Sequence, residues 1–260
     1  MNERTMILIK HGLMVFVTLI VIGMLIEPVA AQPSIDININ PADGQGALGA
    51  LDIVFMLLIL TVAPSLILMM SSFTRIIIVF SFLRNALGMQ QSPPNQVLVG
   101  LSLFLTLFIM NPVISQINQL AYQPYNQGEI TQQEALDIAQ VPMKEFMIRQ
   151  IDEDSLGLFM EISDTEPLDQ QKDTMEQLKK LDLTVLVPAF VTSELKKAFL
   201  IGFLLFIPFL AIDLIVASTL MSMGMVMLPP GMISLPFKIM IFVLADGWGL
   251  IMSSLVKGFR

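Results

Sequence analysis

TVLVPAFVTSELKKAFLIGFLLFIPFLAIDLIVASTLMSMGMVM, residues 184–227, decides the fold. The run is continuously apolar, without the dyad alternation that a lipid-facing β-barrel strand requires. A chain this apolar must satisfy its backbone donors and acceptors internally, which a helix does within a single segment. Its charges are few: Glu194, Lys196 and Lys197 lie near the start, and Asp213 stands alone in the middle. Pro188 and Pro208 punctuate it, and it runs into a methionine-dense turn, Met221 to Pro230. Three more runs share this character. Leu51–Met70 continues into Ser71–Gly88 with Arg75 and Arg84, Val97–Ser115 follows, and Met232–Val256 carries Lys238 and Asp246. The expectation is an all-α protein built from kinked hydrophobic helical hairpins.

Composition agrees. Of 260 residues, 55% are hydrophobic and 14% charged, with a mean hydropathy of +0.75, whereas a soluble domain is nearer a quarter charged. With no cysteine there is no disulfide, thiolate–zinc site, iron–sulfur cluster or thiol nucleophile. The single histidine, His11, lies near the N-terminus, which leaves no histidine-based metal site or general base. No phosphate loop or nucleophile elbow is present. The chain reads as a non-enzyme, without cofactor or metal.

The formal charge of −8 is local. Residues 121–183 hold fourteen acids and five bases, or −9, and the remaining eight acids and nine bases sum to +1. No basic stripe follows a phosphate backbone, so nucleic acid is not an expected partner.

Five segments follow. Residues 1–31 have a basic start (Arg4, Lys10), an apolar run from Leu13 to Ile26 too short to span a bilayer, and small residues before Gln32. They read as a cleavable signal peptide cut between Ala31 and Gln32, the other reading being a retained anchor. Residues 32–50 read as a flexible lead-in, 51–120 as a first hydrophobic hairpin, 121–183 as an acidic amphipathic helical segment, and 184–260 as a second hydrophobic hairpin with a methionine-rich loop. Within the acidic segment, Thr131 and Glu134 have capping-box spacing, and Met143, Phe146, Met147 and Ile151 recur at helical spacing. Asp152-Glu-Asp-Ser-Leu-Gly lacks the later oxygen ligands of a calcium loop and reads as a solvated acidic turn.

Three features are candidates for function. Ionisable groups in apolar runs usually face a partner, a pore or a bundle interior. Asp213 and Lys238, opposite in sign and in successive segments, are expected to pair, within one chain or between two, while Arg75 and Arg84 are expected at a buried interface. Pro64, Pro112 and Pro208 are expected to kink their helices. Met221, Met223, Met225 and Met227 cluster around Gly224 and before Pro229-Pro230, a flexible, polarisable loop suited to irregular partners or to ordinary packing. Counting four spans places Arg75 and Arg84 inside but Lys196, Lys197, Lys257 and Arg260 outside, so the positive-inside rule is half obeyed.

Ser71-Ser-Phe-Thr-Arg-Ile-Ile-Ile-Val-Phe-Ser-Phe-Leu-Arg-Asn-Ala-Leu-Gly88 and Pro93-Pro-Asn-Gln-Val-Leu98 closely resemble the FliP family (FliP/SctR) of type III secretion export-gate proteins. So do Phe206 to Leu214, Met225 to Pro230, Leu235-Pro-Phe-Lys238 and Ala245-Asp-Gly-Trp248, and the resemblance covers roughly Leu51 to Val256. It implies a flagellar protein of the bacterial inner membrane and basal body. Such chains assemble, as about five copies, with FliQ and FliR into a helical membrane-associated gate that passes unfolded flagellar subunits. FliO is the implied assembly partner, and FlhA and FlhB complete the apparatus. The family's gate sits largely above the membrane plane, which accounts for kinked runs and a half-obeyed charge rule. Carried over by residue, Met225 and Met227 match a methionine loop that acts as a pore gasket. The sequence departs from it at Val226, where a third methionine is usual. Asp213 and Lys238, and less closely Glu194, match charged positions tied to gate assembly. Two rivals remain open, a stand-alone polytopic ion or small-solute channel and, further off, a membrane enzyme working with Asp, Glu and Lys alone.

Overall fold

A computed structural model describes residues 46–89, 91–165 and 174–259. His11, the Ala31–Gln32 cleavage position and most of the lead-in lie outside them. All regular structure among the described residues is helical. The chain divides into two compact units, residues 1–58 and 59–260. In the first, the described residues are helical from Gly46, so the last residues of the expected lead-in are helical. That helix, α1 (Gly46–Met69), carries one charge, Asp52, in an otherwise mostly apolar run and ends in the second unit.

The second unit is organised around α2 (Phe73–Ala86) and α8 (Leu183–Ser222). In α2, Ile76, Val79, Phe80, Leu83 and Ala86 recur at three- and four-residue spacing, which puts them on one buried face. They pack with Leu98 of α3 (Asn95–Ile117), Ala198 and Phe209 of α8, Phe242 of α9 (Pro230–Leu244) and Leu255 of α10 (Gly247–Lys257). The approach of α2 to α8 is close at Gly202. A Cβ there would stand 2.5 Å from the Phe82 ring, so only glycine fits without moving that ring.

The acidic segment forms a second, smaller core. The π-helical stretch Asn118–Tyr122 and the short α4 (Gln123–Asn126) continue α3, and α5 (Gln132–Gln150), α6 (Glu153–Ile162) and α7 (Thr174–Lys180) follow. The capping box at α5 is complete: the Glu134 amide donates to Thr131 Oγ1 and the Thr131 amide to Glu134 Oε2. Met147, Ile148, Met160 and Leu178 then close against Val185, Leu186 and Phe190 of α8. Asp152-Glu-Asp, expected as a solvated turn, is instead the N-terminus of α6. Asp152 caps it by accepting from the Ser155 amide at 2.9 Å, with Glu153 and Asp154 in the first turn where the helix dipole favours anions.

The prolines expected at kinks fall within helices, and the sharpest bends lie at other residues. Pro64, Pro112 and Pro208 all lie inside uninterrupted helices. The large bends fall elsewhere, 69° between α1 and α2 and 62° between α9 and α10. The first lies at a serine pair, where Ser71 Oγ donates to the Leu68 carbonyl and accepts from the Phe73 amide. The second lies at Asp246, in the left-handed region at φ 49°. Proline removes one helical bond and bends a helix without having to end it. A residue with φ > 0 or a hydroxyl competing for backbone groups ends the helix outright.

Two helical stretches, Asn95–Asn126 and α8, are long and apolar enough to cross a membrane, or up to four if each bent pair is one span. At 40 residues α8 is about 60 Å long, twice a hydrocarbon core of about 30 Å. Its first turns are committed to protein, because Lys196 pairs with Asp152 and Asp154 and Lys197 donates to the Gln150 carbonyl. Acidic neighbours neutralise Lys196, so counting bases alone overstates the charge of this stretch.

Candidate functional site

Two charged clusters and one loop lie along α8 and its continuation. The first cluster joins α2 to the start of α8. Arg75 Nε donates to Glu194 Oε2 at 2.8 Å, and Arg75 Nη2 donates to both Glu194 Oε1 and Gln150 Oε1. Arg75 Nη1 donates to the Gly258 carbonyl at 3.0 Å, and the guanidinium lies 3.7 Å above the Phe259 ring. Gln150 Nε2 reaches the Phe259 carbonyl. Glu194 is fully buried and Arg75 nearly so. Desolvating two charges is costly, and here a forked pair with further polar partners offsets it. The sequence assigns Glu194 no ion partner; in the structure its partner is Arg75, 119 positions away in the chain.

The second cluster joins α8 to α9 and to the end of α2. Lys238 Nζ lies 2.6 Å from Asp213 Oδ2, and Ser234 Oγ donates to Asp213 Oδ1. Ser234 precedes Lys238 by one helical turn, so both side chains share a face. The ammonium also donates to the Ala86 carbonyl at 3.2 Å, one of the last acceptors of α2, where the helix dipole is negative. Lys238 is buried, but the Asp213 side chain keeps a third of its surface exposed. Around it, Leu210, Leu214 and Ile215 are exposed, a continuous apolar surface of the kind lipid or protein covers.

Arg84 belongs to neither cluster. It is half-buried rather than buried, and it ties the end of α2 to the start of α3 by donating to Asn95 Oδ1 and the Pro93 carbonyl. Asp246 is exposed, with its carboxylate over Gly249.

The methionine loop occupies 223–229, between α8 and α9. Gly224 at φ +77° ends α8: its amide donates to the Met221 carbonyl and the Met225 amide to Leu220. This Schellman arrangement tolerates glycine best. Met225 is half-buried under the turn, while Val226 and Met227 are 77% and 96% exposed. Met221, Met223 and Met232 extend the bare apolar tip. Sequence reasoning missed Gln150, Ser234 and Phe259. Only Ser234 carried a signal, its one-turn spacing from Lys238.

Outside the candidate spans, the Asp152 carboxyl is the shifted group nearest this assembly. Burial pushes it up, but the Ser155 amide and the Lys196 ammonium outweigh that and hold it below the usual aspartate range.

The model of the FliP family matches residues 56–255. The "Flagellar biosynthetic protein FliP" of Bacillus subtilis (strain 168) is 50% identical over 224 residues, covering 86% of this chain and 98% of that protein. The protein of the same name from Pectobacterium carotovorum subsp. carotovorum is 48% identical over 230 residues, 88% of this chain and 86% of its own. That of Caulobacter vibrioides (strain ATCC 19089 / CIP 103742 / CB 15) is 46% identical over 240 residues, 92% and 88% of the respective chains. A match spanning the bend at Ser71-Ser72, both ion pairs and the methionine loop leaves one conclusion: the chain belongs to the FliP family.

Proposed function

We propose that this chain is a subunit of the flagellar type III export gate in the bacterial inner membrane, forming with FliQ and FliR, and in several copies of itself, the channel for unfolded flagellar subunits. The observation that carries the reading is the methionine loop. Val226 and Met227 stand almost bare at the end of a long apolar helix, on a turn fixed by Gly224. A ring of such loops from several copies would close a pore with thioethers and one valine. These side chains repel ions yet yield to an unfolded chain of any sequence, because thioether side chains are flexible and polarisable. Asp213, Lys238 and Ser234 would set the angle of the α8–α9 hairpin behind the loop, and so the radius of the closed ring. Arg75 and Glu194 would hold the acidic helices on the same α8. FliO, FlhA and FlhB are the expected assembly and export partners.

The test is native mass spectrometry of the chain co-expressed with FliQ and FliR, followed by ion flux across membranes holding the complex. A discrete assembly with several copies of this chain and both partners is expected. Shrinking Met225 and Met227 to alanine should leave that assembly intact and make it leak ions. A monomer or dimer indifferent to the partners would overturn the reading in favour of a stand-alone channel, with Asp213 as its ion site. A tight Met225→Ala/Met227→Ala assembly would move the seal away from this loop.

A further inference from the structure

The acidic helices enclose a groove that the pore reading does not use. It has a volume of about 610 Å³ and runs along α6 between α5, α7 and α8. Its floor is apolar, formed by Ile148, Met160, Leu178 and Leu186, all buried beneath it. Its rim is acidic, with Asp152, Glu153 and Glu161. Asp152 is engaged with Lys196, but Glu153 and Glu161 have no ion pair among the described residues. The groove lies in the segment that carries the chain's net negative charge.

Gly157 forms part of the wall, in the middle of α6. Glycine there weakens a short helix, and its φ is not positive, so the turn does not require it. Nor does packing: a Cβ built at Gly157 meets nothing within 4 Å. The fold gains nothing from this glycine, while an occupant lying along α6 gains close access to its backbone. Groove residues recur on α6 at positions 153, 156, 157, 160 and 161, a wall two turns long suited to a helix laid beside it. The chain's own residues 166–173, EPLDQQKD, carry three acids, one base and a single large aliphatic residue, the wrong chemistry for this floor and rim.

We propose that this groove is a docking site for an amphipathic helical segment of a partner protein, apolar on one face and flanked by lysine or arginine. Its aliphatic side chains would enter between Met160 and Leu178, its backbone would pass over Gly157, and its basic flanks would meet Glu153 and Glu161. Apolar burial supplies affinity here, and the acidic rim supplies orientation and salt dependence.

The experiment uses the full chain in detergent and a fluorescent Leu/Lys amphipathic helical peptide, read by anisotropy against protein-free micelles. Saturable binding that weakens with salt is expected, with little binding of a Leu/Glu peptide of the same pattern. Gly157→Leu fills the groove from its wall and should weaken binding at least about tenfold, while Gly157→Ala, which adds one methyl where the occupant's backbone passes, should weaken it by a smaller factor. Should Gly157→Leu fail to fold, Glu153→Gln/Glu161→Gln removes the rim charge without touching the floor and should lower affinity several-fold. The proposal is overturned if the parent shows no saturable binding. It is equally overturned if the Leu/Glu peptide binds as well, or if a folded Gly157→Leu binds undiminished.

Discussion

Two ion pairs on α8 are buried or half-buried, those at Glu194 and at Asp213. They are 19 residues and about 28 Å apart. They differ in everything except charge. At Glu194 each nitrogen of Arg75 has an acceptor, an aromatic ring lies against the guanidinium, and no water reaches the carboxylate. At Asp213 one lysine and one serine meet a carboxylate that is still a third exposed, on a helix whose neighbouring surface is bare and apolar. The first is a closed network that fixes which helices belong together. The second is an open one, with capacity left for a change of partner or of hairpin angle.

The comparison breaks most visibly at Glu194. Glu194→Ala leaves a guanidinium buried without its counter-charge, which costs about 3–5 kcal/mol, a large fraction of the stability of any domain. The variant should accumulate poorly and lose protease resistance across α2, α5 and α8. Glu194→Gln, which keeps one acceptor, should be milder. Wild-type thermal stability in Glu194→Ala would show that water or rearrangement satisfies Arg75, and would erase the contrast.

At Asp213 the order reverses, with function hit harder than fold. Asp213→Ala leaves Lys238 its bond to the Ala86 carbonyl and a path to solvent, so the cost should be nearer 1–3 kcal/mol. Motility and export should nevertheless fall sharply if hairpin angle sets the closed ring. Adding Lys238→Ala should change little, since two residues acting as one unit show strong coupling. Full motility in both single variants would remove the functional half of the comparison and leave two structural pairs.

How far each pair could be read from the chain follows from the same difference. Asp213 and Lys238 were legible because each is a lone charge in an apolar run and the runs are consecutive, which restricts the choice of partner. Arg75 and Glu194 were not. Arg84 offered an equal candidate, Lys196 and Lys197 lay nearer, and the partners belong to helices whose association is set by a non-local core. The methionine turn was legible because Gly224 and Pro229-Pro230 are local signals that tertiary packing reinforces. The sharpest bends were not legible. Pro64, Pro112, Pro188 and Pro208 are strong local signals and lie within helices, whereas a serine pair and one aspartate, weak signals in sequence, mark the sharp bends between helices.

The smallest expected effect sharpens the boundary between the two regions. Asp152 caps α6 and pairs with Lys196, so it links the acidic helices to α8 just above the closed network. Its carboxyl is held below the usual aspartate range by the Ser155 amide and Lys196, against the upward push of burial. A depressed folded-state value means that its charge stabilises the fold above the ordinary aspartate range near 3.9, and that this contribution disappears as pH falls through the lower folded value. Asp152→Asn keeps a capping oxygen and loses the charge. The wild type should therefore melt about 1–2 °C above the variant near neutral pH, a gap of under about 1 kcal/mol, and the two should converge below about pH 4. A gap that persists to pH 2 would mean that the shape of the cap, not its charge, carries the link. Lys196 would then be an ordinary surface lysine, and the acidic helices would depend for their hold on α8 on Glu194, the Lys197–Gln150 bond, Ser193 and their apolar core.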